Sequence, residues 1–448
     1  MNSVSPSPRR GLRVALLSPR GPLYKHGSGI WKKSLRYMPL TLTTLAALVP
    51  EELGAELRLF EEGIDDIPLD LEADLVGLSV ITGSATRSYE LADHFRSRGL
   101  PVVLGGVHPT LLPDEAAAHA DAVVVGYAEE TWPELLRDFA AGCLKPRYDM
   151  APDFRLENVP IPRRDLLPAD HYFTRHTIEA TRGCNHNCEF CVVPTAWGGP
   201  RQRPVAEVLA EVRAMNPKKL LFLDLNLVAN PDYARELFRA LAPLGIRWGG
   251  LSTIDIAFDD ELLDLAAAGG CRGLLIGFES LSQASLAETR KLFNTTRDYG
   301  DAMRRFHDRK IAIMACFVFG FDHDTRDSFA ETAELAIEAR IDLPRFAIVT
   351  PFPGTPLFRR LKADGRILTE DWDLYDAQHV VFRPARMTPE ELLRGTEWAW
   401  KKVYGLSSIA KRLLGAWVQP WVSLPANLGY RFYARNLHRF YTCRGAPV

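Results

Sequence analysis

Three cysteines carry most of the chemistry open to this chain of 448 residues. Cys184, Cys188 and Cys191 lie in the stretch Thr-Arg-Gly-Cys-Asn-His-Asn-Cys-Glu-Phe-Cys. Three thiolates so close together can bind three irons of a [4Fe–4S] cluster and leave the fourth iron without a protein ligand. An open coordination position is what a catalytic metal centre keeps and a structural one closes. Zinc is the plainer alternative, but it needs a fourth ligand. His186 sits between the first two cysteines, and no second Cys-x-x-Cys follows. An odd number of thiols suits a disulfide poorly. The spacing favours a cluster with one open iron.

Composition narrows the setting. The chain is 47% apolar and 25% charged, as soluble globular proteins are, and its length suits two or three domains. A net charge of -2 argues against a general nucleic-acid binder. Seven cysteines in so long a chain form no disulfide scaffold, and a thiol cluster requires a reducing compartment. The apolar run after the basic Arg9–Arg10 pair is short and strand-like, so no signal peptide is expected. No run approaches the roughly 18 apolar residues of a membrane span. A cytoplasmic location follows, with membrane-surface contact left open.

Two α/β patterns must position the cysteines. Over 11–142, near-continuous apolar strands are expected at Arg13–Leu17, Glu56–Phe60, Leu75–Val80, Pro101–Leu104 and Ala122–Val125. Helices fall near Leu40–Val49, Ser88–Arg98 and Glu129–Ala141. Five strands with crossover helices make a Rossmann-like, doubly wound domain, which binds ligands at the carboxyl ends of its strands. Residues 143–175, rich in Pro, Arg and Asp, read as a linker. From 176 to 384, strands are expected at Thr177–Ala180, Lys219–Leu223, Trp248–Ser252, Gly273–Phe278, Ala312–Phe319 and Arg345–Val349. Helices lie between them at Val205–Met215, Tyr233–Leu241, Glu261–Ala268 and Asp327–Glu338. Six such units suit a partial (β/α)6 barrel. Residues 385–448 read as a helical C-terminal region.

The strand ends of the first domain carry small and polar residues: Ser79-Val-Ile-Thr-Gly-Ser84, Gly105-Gly-Val-His-Pro-Thr110 and Gly126-Tyr-Ala-Glu-Glu-Thr131. Glycines there let a large planar or phosphate-bearing ligand approach the backbone, although many strand-end glycines serve only as turns.

The Cys-x-x-x-Cys-x-x-Cys triplet, with Phe190 before its last cysteine, resembles the radical S-adenosylmethionine (SAM) superfamily. The glycine-bearing loops resemble the cobalamin-binding domain that precedes many radical SAM domains. The segments Phe319-Gly-Phe-Asp-His-Asp-Thr325 and Thr350-Pro-Phe-Pro-Gly-Thr-Pro356 are similar to the cobalamin-dependent group that contains the magnesium-protoporphyrin ester cyclases and hopanoid methylases. The resemblance implies a [4Fe–4S] cluster on Cys184, Cys188 and Cys191, SAM chelated to its open iron, and cobalamin. It places Phe190 beside the adenine, Asp224 and Asn226 near the SAM amino group, and Glu279 at a ribose- or methionine-contacting position. An ion pair with Arg or Lys is the alternative use of Glu279. It places Ser79, Thr82, Gly83, Gly105, Gly106, His108, Gly126 and Glu129 around the corrin and its nucleotide tail. The Asp-x-His-x-x-Gly signature of histidine-ligated cobalt is absent, because Gly106 stands two residues before His108. No histidine ligand to cobalt is therefore expected. The family's Gly-Glu-Gly-Glu is Gly126-Tyr-Ala-Glu129 here.

The other four cysteines, Cys143, Cys271, Cys316 and Cys443, read as isolated residues. Cys316, in an apolar strand, is expected to be buried; facing the barrel interior, it could donate hydrogen to a substrate radical. From Trp398 to Val448 the chain holds eight Lys or Arg residues, ten aromatics and no Asp or Glu. Lys401, Lys402, Lys411, Arg412, Arg431, Arg435 and Arg439 interleave with Trp398, Trp400, Trp417, Trp421, Tyr430 and Phe432. That composition suits a substrate-side cap or contact with a membrane surface.

The activity implied is C-methylation: a methyl group passes from SAM through methylcobalamin to an unactivated carbon of a small, lipid-like molecule. An external electron donor such as flavodoxin or ferredoxin is implied as well, and no nucleic-acid partner. The alternatives are a cobalamin-dependent radical SAM cyclase without methyl transfer, a transfer-RNA methylthiotransferase and a corrinoid carrier or sensor. The methylthiotransferase would need three more clustered cysteines near the N-terminus, where only Cys143 is found.

Overall fold

The computed structural model describes residues 11–21, 37–414 and 418–437; Trp417, Arg439 and Cys443 lie outside them. The chain forms two bodies that divide between Thr177 and Ile178, with Thr195–Trp197 belonging to the first.

The first body is a six-stranded parallel sheet: β1 (Arg13–Ser18), β2 (Glu56–Glu61), β3 (Leu75–Ser79), β4 (Val102–Gly105), β5 (Ala122–Val125) and β6 (Arg147–Asp149). The order is β2-β1-β3-β4-β5-β6, so the winding reverses between β1 and β3. Five strands were expected. The sixth comes from the stretch read as linker, where Arg147-Tyr-Asp alternates exposed, buried, exposed and pairs with β5. Three residues are too short to register as a strand in sequence. Tyr148 anchors this edge, donating to Asp138 (2.9 Å) and packing into the core with Trp132 and Leu136. Helix Thr131–Ala140 buries Trp132, Leu135, Leu136 and Ala140, which recur at helical spacing on one face.

In the second body, β7 (Thr177–Ile178) leads to a two-stranded ribbon, β8 (Thr181–Arg182) with β9 (Arg201–Gln202). There follow β10 (Lys219–Phe222), β11 (Arg247–Ser252), β12 (Cys271–Glu279), β13 (Ala312–Phe319) and β14 (Arg345–Ile348). The sheet order β14-β13-β12-β11-β10-β7 never closes, which makes an open, six-stranded (β/α) barrel. Its inner and outer faces are read from β13. Ile313, Ala315, Phe317 and Phe319 are buried, and Phe319 meets Phe329 of helix Ser328–Glu338 edge-on at 4.8 Å. The other set, Ala312, Met314, Cys316 and Val318, is half-buried and so faces the barrel interior. Cys316, expected to be buried, belongs to this inner face.

The C-terminal region is helical as expected, over Pro389–Val403, Leu406–Leu413 and Pro420–Arg435. The first helix begins in a capping box: Thr388 and Glu391 each bond the other's backbone N–H, with Pro389 at the first helical position. No helix among the described residues is long and apolar enough to cross a membrane. Arg412, one of the basic residues interleaved with aromatics in this region, is fully buried. Its guanidinium donates to the carbonyls of Ile341, Asp342 and Val403 and to Asn427, joining the turn before β14 to three helices. Burial pushes its pKa down, partly opposed by Tyr404, whose ring lies 5.2 Å away. Arg412→Met is expected to strand these buried acceptors and destabilise the protein by about 3 kcal/mol. Chemical denaturation measures this.

Candidate active site

The cysteine loop runs from β8 into helix Val192–Ala196 and has little secondary structure of its own. Its entry is fixed by Asp224, in the loop after β10. That carboxylate accepts from the backbone N–H of Ala180 (3.1 Å) and Thr181 and is completely buried. Burial, then the charge of Glu179, pushes the carboxyl up to about 7, against the pull of those hydrogen bonds. Asp224 therefore has no surface left for the SAM amino group: it shapes the loop. Gly183 comes next, at φ +77, and a Cβ there would lie 2.3 Å from the carbonyl oxygen of Gly199, so only glycine fits.

Further bonds hold the loop. Glu189 donates its N–H to the Thr289 carbonyl (3.0 Å) and accepts from Leu357 N–H (3.1 Å). Leu357 directly follows the Pro-Phe-Pro-Gly-Thr-Pro run, whose rigid bend thus abuts the cysteines. Asn226 is buried; its amide donates to Asn185 (3.2 Å) and lies 3.8 Å from the Cys184 sulfur. That places Asn226 beside the first cysteine of the triplet. Phe190 packs against Phe321, ring centres 5.7 Å apart.

Glu279 ends β12 in a left-handed backbone conformation, φ +64, and pairs with the buried Lys291 at 2.8 Å. Burial would lower the Lys291 ammonium, but Glu279 and the nearby Cys188 and Cys191 raise it. The ion pair considered for Glu279 is thus present. Lys291 was missed by sequence reasoning, because a lone lysine twelve residues beyond a glutamate carries no motif. Burial pushes the Cys188 thiol up to about 11 and raises Cys191, while Lys291 draws both back toward thiolate.

Three thiols and a buried cation suit an iron–sulfur cluster: iron replaces the thiol protons, and the ammonium offsets thiolate charge. His186 is stacked on Phe293 at 3.7 Å with Nε2 3.8 Å from Asp255, which gives the ring an aromatic partner and a carboxylate. Among the described residues no three His, Cys, Asp or Glu side chains, the cysteine triplet included, are grouped closely enough to hold one ion.

In the first body, the ends of β3, β4 and β5 are stitched together. Val80 donates to the Gly105 carbonyl, His108 N–H to the Val80 carbonyl, and Gly126 N–H to Thr110 Oγ1 at 2.9 Å. Thr82, Gly83 and Ser84 form a buried single turn after β3. Gly106, at φ +105, could not carry a Cβ, which would lie 2.7 Å from the Val80 carbonyl. Ser79, Gly105, Gly106 and Gly126 thus share one edge, with Ile81 half exposed beside them. Such a small-residue shelf fits a broad, flat ligand like a corrin. His108 is buried, its Nδ1 3.3 Å from Thr82 and its Nε2 3.1 Å from Glu115. Both ring nitrogens thus have partners within the domain. Glu129 stands just past Gly126, before helix Thr131–Ala140.

Family models match both bodies: the B12 binding domain over residues 39–136 and the radical SAM superfamily over 178–336. The chain is 35% identical to the bacteriochlorophyllide d C-12(1)-methyltransferase of Chlorobaculum tepidum, covering 84% of this chain and 85% of the relative. It is 32% identical to the C-8(2)-methyltransferase of the same organism, over 78% and 82%. The fold matches the structure of the radical SAM methyltransferase TsrM from Kitasatospora setae with a TM-score of 0.69, at 17% identity, over 96% of this chain and all of that one. The chain belongs to the cobalamin-dependent radical SAM methyltransferases. Its cofactors are those of the family: a [4Fe–4S] cluster, SAM and cobalamin.

Because Lys291 and Glu279 are both enclosed, removing one leaves the other as a buried, uncompensated charge. Lys291→Met is expected to cost about 3–5 kcal/mol, and adding Glu279→Gln should restore most of it. Chemical denaturation of the two variants measures the difference.

Proposed function

We propose that this enzyme methylates an unactivated carbon on the periphery of a tetrapyrrole macrocycle. The reading is carried by the two bacteriochlorophyllide d methyltransferases that align across both bodies at 32–35% identity. It replaces the lipid-like acceptor expected from the sequence with a planar, ring-bearing one.

The bound cofactors supply hydrogen abstraction and a methyl donor; the chain supplies position and charge. Cys184, Cys188 and Cys191 hold the cluster, with the Asn226 amide beside the Cys184 sulfur. Lys291 stabilises thiolate at Cys188 and Cys191. Asp224 fixes the loop, and Phe190 and Glu279 line the neighbouring space for SAM. Ser79, Thr82, Gly83, Gly105, Gly106, His108, Gly126 and Glu129 form or brace the cobalamin shelf. By function the chain divides into a cobalamin domain over 11–142 completed by β6 from the next segment, a connecting segment over the rest of 143–175, a radical SAM domain over 176–384 and a substrate-side region over 385–448. Electrons come from an external carrier such as flavodoxin or ferredoxin, in a reducing, cytoplasmic setting.

The last helix also fits a membrane surface. Trp421, Leu424, Leu428 and Phe432 form an exposed apolar stripe on Pro420–Arg435, opposite the buried Ser423, Asn427 and Ala434. Arg431 and Arg435 flank it, and no acidic residue follows Trp398. An anionic bilayer is the occupant that matches both the stripe and the charge. Cosedimentation with vesicles containing anionic lipid should fall severalfold in Trp421→Ser/Phe432→Ser; equal binding to neutral vesicles would count against the reading.

Methyl transfer is tested by anaerobic reconstitution with iron, sulfide and cobalamin, then incubation with bacteriochlorophyllide d and SAM deuterated at its methyl group. A trideuteromethyl group in the product is expected. SAM cleavage with an altered but unlabelled product would instead mark a cyclase-like reaction.

A further inference from the structure

One cation in the barrel interior has no role in the site described above. Arg345 opens β14, whose residues run exposed, buried, half-buried, buried. Phe346 faces outward: its ring meets Trp400 edge-on at 5.5 Å and its carbonyl accepts from the Trp400 indole at 3.1 Å. Arg345 and Ala347 therefore share the inner face. The register sets Arg345 beside Cys316, and Cys316 beside Gly277, so the inner surface next to the arginine is small.

The surroundings of Arg345 are unusual for an arginine. Arg345 keeps more than a third of its surface open to water, with Cys316, Tyr404, Tyr430 and Tyr433 close to its charge. It makes no hydrogen bond or ion pair with any described residue. The buried arginines differ: Arg412 has four acceptors, and Arg203 has Glu211 at 2.7 Å and the Glu179 carbonyl at 3.0 Å. Five donors and a full charge that no described residue takes up are available to a ligand.

The residues near it indicate what that ligand is. Cys316 and the phenols of Tyr430, Tyr433 and Tyr404 lie within electrostatic reach of the guanidinium. Tyr404 donates to the Pro344 carbonyl at 2.8 Å and Tyr433 to Gln378 at 3.4 Å, whereas the Tyr430 hydroxyl makes no hydrogen bond with a described residue. Tyr430 stacks on Trp400 at 5.8 Å and lies 5.4 Å from Tyr404, which gives an aromatic wall beside the charge. The neighbouring cation, Lys291, is already neutralised by Glu279. One uncompensated charge matches a carboxylate better than a phosphate dianion, and a planar guanidinium binds carboxylate through two parallel bonds.

We propose that Arg345, assisted by the Tyr430 hydroxyl, binds a carboxylate of the methyl acceptor inside the barrel, with the aromatic wall against the acceptor's ring system. This selects acid over ester forms of one molecule. The inference rests on the methyltransferase reading for the identity of the acceptor, but its test needs no methyl transfer. A failed labelling experiment and a failed binding experiment are therefore separate results.

The test uses the full reconstituted chain and two probes, protoporphyrin IX with free propionates and its dimethyl ester, followed by quenching of tryptophan fluorescence. The wild-type protein is expected to bind the free acid at least about tenfold more tightly than the ester. Arg345→Met and Arg345→Gln should weaken acid binding by about ten- to a hundredfold and leave ester binding unchanged, while Arg345→Lys keeps part of the preference. Iron content and denaturation midpoint verify that the variants fold. Should both neutral Arg345 variants misfold, Tyr430→Phe decides, with a loss of about threefold or more for the acid alone. Equal binding of acid and ester by the wild type, binding of neither, or undiminished acid binding by a folded variant overturns the proposal.

Discussion

The hydrogen bonds from Ala180 and Thr181 to the Asp224 carboxylate govern the shape of the site. The cysteine loop has almost no regular structure, so the barrel around it must impose its conformation. A buried carboxylate that accepts backbone N–H groups at the end of β10 does this at the loop's entry. The contacts of Glu189 with Thr289 and Leu357 do it further along. Asp324 repeats the device after β13: it is buried, pushed up to about 6 by that burial, and accepts from Gly320, Phe321 and Ser285. In both places a carboxylate is withdrawn from solvent to define a strand-end loop.

The inner face of the barrel has a graded charge pattern. Beside the cysteines, Lys291 favours thiolate at Cys188 and Cys191 while Glu279, paired with it, opposes that pull. Farther along, Arg345 stands without a counter-ion. Barrel strands place their inward residues in layers. A compensated pair near the cofactor end and an uncompensated cation next to Cys316 divide the cavity into a part organised for the cluster and a part open to an anionic ligand.

Much of this was legible in the sequence, for identifiable reasons. Buried parallel strands are apolar on both faces, and that is why eleven of the twelve strands of the two main sheets stood out, all but β6. The cysteine triplet is local, and its spacing is its meaning. What escaped depends on contacts distant in sequence. Asp224 and Asn226 looked equivalent as polar residues at one strand end. Only the fold separates them, burying the first against backbone amides and leaving the second beside Cys184. Lys291 and Arg345 have no local motif, since their importance comes from the strand alternation and sheet register that bring Glu279 and Cys316 to them. Arg412 could be told from its surface neighbours only by the carbonyls it reaches in the turn before β14.

The C-terminal region shows how one composition serves two physical ends. Its basic and aromatic residues looked uniform along the chain, but helix periodicity sorts them. On the inward side, Arg412, Asn427 and Trp400 hold the helices to the β14 edge of the open barrel, and Tyr404, Tyr430 and Tyr433 bring phenols near Arg345. On the outward side of the last helix lie Trp421, Leu424, Leu428 and Phe432, with arginines at the border. An open barrel has an unpaired edge strand and an accessible interior, so whatever packs along β14 also sets which molecules reach Arg345. An aromatic inner face and an apolar, acid-free outer face suit an acceptor that is flat, sparingly soluble and anionic at one end.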